Sequence, residues 1–233
     1  MATLAKFRTR IAMKTGIAAD TSGSDDQALA DDWINDGIVD VLLETHCNVD
    51  SQTVTPGASA DYALSASVLA IIDMYTSSAG TDARVEQVSV PDLLEMRRQG
   101  STASSSPVTH YALAGADLIL FYPTPAAADT FTMYVIPKPT AMSVSSDDAS
   151  SASLGGVRTE FHKAIELYAL AEAADYDDDG SSAQGARYRE RYHEELGRIK
   201  RSLNRLGSYK QPPAVLPTQR RRRPRRYNDQ DWR

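Results

Sequence analysis

Apolar residues recur at helical spacing in the first part of the chain. They predict a short amphipathic helix over residues 3–14 and a second helix over residues 27–46. The polar stretch 20–26 lies between them and offers side chains that can cap the second helix. The apolar stripe of the first helix is Leu4, Phe7 and Ile11.

Helical spacing returns in the last third of the chain. One stripe begins at Phe161, and the helix that it predicts ends in the acidic run 175–180. A longer stripe runs from Tyr188 to Leu206 and is stopped by Gly207. Because the connection between these two helices is short, we expect them to form an antiparallel hairpin.

Between the helical segments the pattern becomes that of extended chain. The change begins near Val49, and one short helix, 92–98, interrupts it. The predicted strands are 68–75, 85–90, 109–113, 118–122 and 130–136. Proline has no N–H to give to a ladder, so the prolines beside these strands are expected to lie outside them. They are Pro123, Pro125, Pro137 and Pro139.

This order of elements predicts an α+β fold. Helices from both ends of the chain can form an antiparallel bundle if the strands between them project as an inserted module. Closely spaced strands leave no room for crossover helices, so we expect a small antiparallel sheet or sandwich. The predicted units are N-terminal helices at 1–47, a β module at 48–142, a helical hairpin at 154–207 and an extended basic arm at 208–233.

Charge divides the chain into two parts. Eleven Lys and Arg and no acid lie between Arg198 and Arg226, although the net charge of the 233-residue chain is −6. Residues 1–197 carry 13 Lys and Arg against 29 Asp and Glu, a net charge of −16. The acidic part repels phosphate, whereas the arginine-rich part cannot collapse on itself and is expected to reach for an anionic partner.

The sequence predicts neither a cofactor nor a metal. The run Asp175–Gly180 supplies the first, third and fifth positions and the turn glycine of a calcium loop, but Ala186 stands where the closing carboxylate belongs, so a solvated turn is favoured. The four histidines show no metal-ligand spacing and are expected to be surface or partly buried side chains. His46 adjoins Cys47, which suggests a thiolate nucleophile with its base. Neighbours on a helix point in different directions, however, so such a pair is not expected.

The sequence lacks the common catalytic motifs and the common targeting segments. No phosphate-binding loop, nucleophile elbow or dinucleotide turn occurs, so an enzyme is not predicted. The single cysteine indicates a reduced compartment. The N-terminus lacks the apolar run of a signal peptide, and no stretch reaches the roughly 18 apolar residues of a membrane span. We therefore expect no contact with a membrane.

Aromatic residues of the strands offer a second candidate chemistry, base stacking. Residues 109–136 contain no Lys or Arg, which a sheet that binds single strands needs. Packing in the core is the favoured interpretation for these side chains. They are Tyr111, Phe121, Tyr122, Phe131 and Tyr134.

The arm is the predicted binding element. Its prolines favour an extended backbone that can lie along another surface. Its charges suit either the phosphates of a nucleic acid or an acidic groove on a protein, and the third possibility is a tail that only aids solubility. Exposed aromatic residues argue against that third possibility. The predicted partner-binding residues are Arg220, Arg221, Arg222, Arg223, Arg225, Arg226, Tyr227 and Trp232.

Four sequence segments carry a resemblance to a known family. They are Ala30–Asp36, Val88–Arg98, Tyr111–Pro125 and Tyr134–Pro139. In this order, along a match from about residue 3 to residue 206, the chain resembles the head-to-tail connector proteins of tailed bacteriophages, the adaptors that form a ring beneath the portal. These segments are structural rather than catalytic. Their order along the chain is more specific for the family than any single segment.

The resemblance implies a virion structural protein, assembled in the host cytoplasm and located at the head-to-tail junction. It implies a homomeric ring, commonly of about twelve copies, that lines the conduit for genomic DNA. In such a ring the helices would dock on the portal protein, and the β module would make lateral or tail-side contacts with tail or nozzle proteins. By the same resemblance the C-terminal arm would grip the portal. The alternative is a nucleic-acid-binding protein that uses the arginine-rich tail.

Overall fold

A computed structural model gives the fold of this protein. The residues that it describes are 2–76, 83–100, 107–115, 117–176 and 182–205. The predicted arm, residues 208–233, lies outside them.

Five helices are present in the described part, and each matches a predicted helix to within a few residues. Ser24 caps α2 as the polar linker led us to expect, because its hydroxyl accepts a hydrogen bond from the Gln27 N–H at 3.1 Å. Gly16 ends α1 in the left-handed conformation, with φ at 81°. The helices are α1 (Leu4–Thr15), α2 (Asp25–Thr45), α3 (Val90–Gln99), α4 (His162–Tyr176) and α5 (Ala183–Arg205).

Eight strands form two four-stranded sheets, which confirms the α+β class. The first sheet has the order β1-β8-β3-β4 and the second the order β2-β7-β6-β5. All pairs are antiparallel except β5 with β6. The strands are β1 (Asp50–Val54), β2 (Asp61–Ala63), β3 (Val68–Thr76), β4 (Ala83–Arg84), β5 (Glu86–Gln87), β6 (His110–Leu113), β7 (Leu118–Tyr122) and β8 (Phe131–Pro137).

The two sheets pack face to face as a sandwich. Phe121 of the second sheet and Phe131 of the first are fully buried, and their rings stack with centroids 4.9 Å apart. Neighbouring residues on β7 point the other way, and Leu120 packs with Leu93 of α3 on the outer face of the second sheet. Arg97 fastens α3 there, since its guanidinium donates to the Ala60 carbonyl at 2.7 Å.

The strand predicted over 85–90 is wrong in extent. The chain instead forms β4, passes Val85 and forms β5, and β4 pairs with β3 of the first sheet whereas β5 pairs with β6 of the second. Val85 is therefore the point at which the chain changes sheets, and it is almost completely buried there. Val90 already belongs to α3, because Ser89 caps that helix through its hydroxyl.

The expectation that prolines lie outside the ladders fails at one position. Pro137 is the last residue of β8 and stands opposite Val68. A proline is tolerated at this end because the next residue restores the pairing: the Lys138 N–H donates to the Ser67 carbonyl at 2.7 Å. Two short strands, β1 and β2, lie in the extended region but were not predicted individually.

The remaining helices pack around α4. This helix is buried on nearly every face and contacts α1, α2 and α5. Its apolar residues share one core with those helices, and Ile136 of β8 joins that core from the first sheet. None of the described helices combines the length and apolar character needed to cross a membrane. The division of the chain into separate units at 47, 142 and 207 remains a prediction.

Ion pairs connect the helices around this core. Arg8 of α1, almost completely buried, donates to both carboxylate oxygens of Asp31 in α2, at 2.6 and 2.5 Å. Glu166 of α4 is also buried and accepts from Arg10 at 2.6 Å and from Lys14. A buried carboxylate is costly unless it is paired, so these contacts determine which face of α1 lies against α4.

The sandwich core predicts a large difference between two aromatic residues of β8. Phe131→Ala removes a fully buried ring and is expected to lower the free energy of unfolding by about 3–5 kcal/mol. Tyr134→Ala, on the exposed face of the same strand, is the matched control and should cost about 1 kcal/mol or less. Urea unfolding of both variants measures the difference, and equal losses would contradict the packing described.

Candidate interaction surfaces

The predicted partner-binding residues, Arg220 to Arg226 with Tyr227 and Trp232, lie outside the described residues. The structure therefore brings none of them to a site. Other groups that can contact a partner lie on the described surface.

The turn between α4 and α5 uses its first acid as a structural group. The carboxylate of Asp175 is buried and accepts hydrogen bonds from the Ser182 N–H at 3.0 Å, from the Ser182 hydroxyl at 3.2 Å and from Arg189. The Ser182 N–H and the Arg189 guanidinium lower the pKa of Asp175 below its usual value of 3.8. The first position of the half-matched calcium loop thus serves to close the helical turn.

The histidine and cysteine candidates are arranged as structural residues. Burial raises the pKa of the Cys47 thiol, which opposes formation of a nucleophilic thiolate. His46 ends α2 in the left-handed conformation, with φ at 51°. His162 departs from the expected surface or partly buried position: it is buried, and its Nε2–H donates to the Val157 carbonyl at 3.0 Å. That burial lowers the pKa of His162.

A groove between α1, α4 and α5 contains many ionisable groups, and its buried carboxylates are paired. Its two buried carboxylates are Glu166, which binds Arg10 and Lys14, and Glu195, which accepts from Arg198 at 2.9 Å. Each carboxylate is therefore neutralised within the protein. The groove is an ion-pair network that holds helices together.

The aromatic residues of the strands confirm the packing interpretation where they are buried. Tyr111, Phe121 and Phe131 lie in the sandwich core. Tyr134 is 40% exposed and stands edge-on to the ring of Tyr75, at a centroid distance of 5.9 Å. The first three rings are thus inaccessible to nucleic-acid bases.

Helix α5 presents a row of arginines to solvent. Five arginines at spacings of four, seven, three and four residues lie on one side of the helix, opposite the buried Tyr192, Leu196 and Ile199. All five are exposed, and within the described part of the chain only one of them, Arg198, has an ion-pair partner. We call this row the arginine face: Arg187, Arg191, Arg198, Arg201 and Arg205.

Helix α2 presents the opposite charge in the same way. Asp25, Asp32 and Asp36 lie on one side of the helix, opposite its buried Ile34 and Val41. The three carboxylates are exposed and make no ion pair with any cation that the structure describes. We call this row the aspartate face. The helical spacing of the sequence predicts a polar face of α2 with Asp32, Asp36 and Asp40, but the arginine face was not predicted, although a count of spacings along α5 finds it.

A comparison with family models gives a match over nearly the whole chain. The model described as SU10 adaptor protein matches residues 2–224. This match covers nearly the whole chain, including both charged faces and most of the predicted arm. No curated protein matches the chain.

Two glycines of α5 predict opposite effects of the same substitution. A Cβ at Gly185 would overlap the Asp175 carboxylate and the Ser182 hydroxyl, so Gly185→Ala is expected to destabilise the protein by about 1–3 kcal/mol. A Cβ at Gly197 meets open space, and Gly197→Ala should stabilise the helix by about 0.5–1 kcal/mol. Urea unfolding tests both signs, and a stabilising Gly185→Ala would refute the close contact.

The lowered pKa of Asp175 predicts a pH dependence of stability. Asp175→Asn should lower the free energy of unfolding at pH 7 by about 1–3 kcal/mol, because charged hydrogen bonds are lost. The carboxylate stabilises the fold fully above pH 3.8 and loses this effect as the pH falls through its lower folded pKa. The gap between wild type and variant should therefore shrink below pH 3.8. Unfolding curves at pH 7 and at acid pH measure it, with Asp32→Asn as the control for which no gap is expected.

Proposed function

The chain belongs to the SU10 adaptor protein family, a family of phage adaptors, and from this premise we propose that it forms a homomeric ring between portal and tail. The match over residues 2–224 is the observation that carries the proposal. The family is one of structural adaptors and not of enzymes, and its members' role makes this chain a virion component. In the proposed ring, about twelve copies surround the path of the genome.

The negative charge of residues 1–197 supports a role as a conduit for DNA. Residues 1–197 have a net charge of −16. Phosphates pass a like-charged wall without adhering to it, and a ring multiplies this charge by its number of subunits. The helices around α4 form the portal-side unit in this proposal, and the sandwich forms an inserted unit that contacts tail or nozzle proteins.

The arm supplies the grip on the portal. Six arginines between Arg220 and Arg226 can form forked hydrogen bonds with carboxylates of an acidic portal surface. A single arm of this kind binds weakly. Repetition around a closed ring raises the effective concentration of each contact, so the sum is a firm attachment.

A binding experiment with purified portal tests the assignment of the arm. Replacement of the six arginines by glutamine is expected to weaken binding of the full-length chain to portal rings, and truncation after Gly207 should do the same. The matched control replaces the same six arginines by lysine, which keeps the charge and should retain much of the binding. Native mass spectrometry measures the number of bound copies in each case.

Two outcomes would contradict these proposals. If wild-type protein forms no ring either alone or on the portal, the adaptor ring is wrong. If the ring forms and truncation leaves portal binding unchanged, only the arm is wrongly assigned. Duplex DNA added as a competitor tests the alternative function: retention of DNA without portal binding, lost with the six arginines and steeply salt-dependent, would favour a nucleic-acid-binding protein.

A further inference from the structure

Among the described residues, the two charged faces leave complementary charges without partners in the same subunit, apart from Arg198, which pairs with Glu195 of its own helix. The arginine face extends for about 27 Å along α5, from the axial rise of 1.5 Å per residue, and the aspartate face for about 16 Å along α2. Both point away from the helical core. Elsewhere among these helices, charged side chains near the core are paired within the chain, as Arg8 is with Asp31 and Glu166 with Arg10.

The spacing of the charges matches in one orientation. The three aspartates are separated by seven and then four residues, at positions 25, 32 and 36. Reading α5 in the same direction, Arg187, Arg191 and Arg198 are separated by four and then seven residues. When two helices lie antiparallel, this reversed order places Asp36 opposite Arg187, Asp32 opposite Arg191 and Asp25 opposite Arg198.

We propose that the arginine face of one subunit docks antiparallel on the aspartate face of the next subunit in the ring. The proposal rests on the proposed function, because it supplies the lateral contact that a homomeric ring needs. The interface is heterologous: each subunit offers one arginine face and one aspartate face, so closure of the ring uses every face once.

A second copy fits the arginine face better than nucleic acid does. Glu194 is exposed on the same side of α5, among the arginines, and would repel a phosphate backbone. A neighbouring subunit carries three carboxylates at the spacing of Arg187, Arg191 and Arg198.

The strength of this contact should be modest and sensitive to salt. Exposed ion pairs contribute little individually, so three of them hold two free subunits together only weakly. Closure of the ring, or assembly on a portal, makes the contacts cooperative. Reversal of two charges replaces attraction by repulsion at two positions, and its effect on assembly should be much larger than that of a neutral substitution.

Charge reversal and charge exchange test the interface in the full-length protein. R187E/R191E and D32R/D36R are each expected to raise the concentration needed for ring assembly by at least about tenfold. The combined four-residue variant and an equimolar mixture of the two double variants should both assemble near the wild-type concentration, since opposite charges face each other again. Native mass spectrometry at fixed salt, with and without portal rings, measures assembly. Far-UV circular dichroism checks that the exposed substitutions preserve folding.

A third variant controls for the register. R201E/R205E makes the same change in net charge on the same face but lies beyond the three proposed pairs, so its effect should be smaller than that of R187E/R191E. An equal or larger effect would overturn the antiparallel register. Failure of the exchanged charges to restore assembly would show that the two faces do not meet.

The remaining outcomes separate this inference from the proposed function. A wild-type ring that R187E/R191E and D32R/D36R both leave unchanged overturns the interface and leaves the adaptor role intact. Absence of any wild-type ring overturns both. If R187E/R191E assembles normally but loses retention of duplex DNA in a filter-binding assay, the arginine face serves nucleic acid and the subunit interface is wrong.

Discussion

The burial of α4 is the constraint on which the rest of the helical structure depends. A helix covered on nearly every face needs neighbours on every side, and α1, α2 and α5 provide them. Because Glu166 points into this environment, α1 must bring Arg10 and Lys14 to it. The strands then attach through Ile136, which reaches the same core from β8. The positions of three helices and one sheet thus follow from the surroundings of one helix.

The sequence predicted the helices and strands whose hydrophobic pattern follows directly from which of their side chains are buried. Helices α1, α2, α4 and α5 have an apolar stripe or a buried run, and β7 was predicted at its observed bounds because both of its faces are covered. It could not predict β4 and β5, since two-residue strands have no period and depend on partners distant in sequence. The half-matched calcium loop showed the same limit, because Asp175 acquires its role from Ser182 and Arg189 across the turn.

The described charges fall into two groups with different uses. Buried or half-buried ions pair within the subunit and join its helices, as Arg8 does with Asp31 and Lys200 with Glu44. Charges without a partner among the described residues collect in rows on the outer sides of α2 and α5. The partner-binding residues predicted from the sequence all lie in the arginine-rich arm, because that run is contiguous. A row that is spread over nineteen residues of a helix is recognised by its helical spacing and by its position opposite the buried side.

Val85 gives the sandwich a mechanical property that its sequence position does not suggest. This single residue separates β4 in one sheet from β5 in the other, and one residue spans at most about 3.6 Å. The two layers are therefore joined covalently at this edge by a single residue. Shear between them cannot exceed that length unless a strand is peeled from its neighbour. A force applied to one layer is therefore passed directly to the other through this residue.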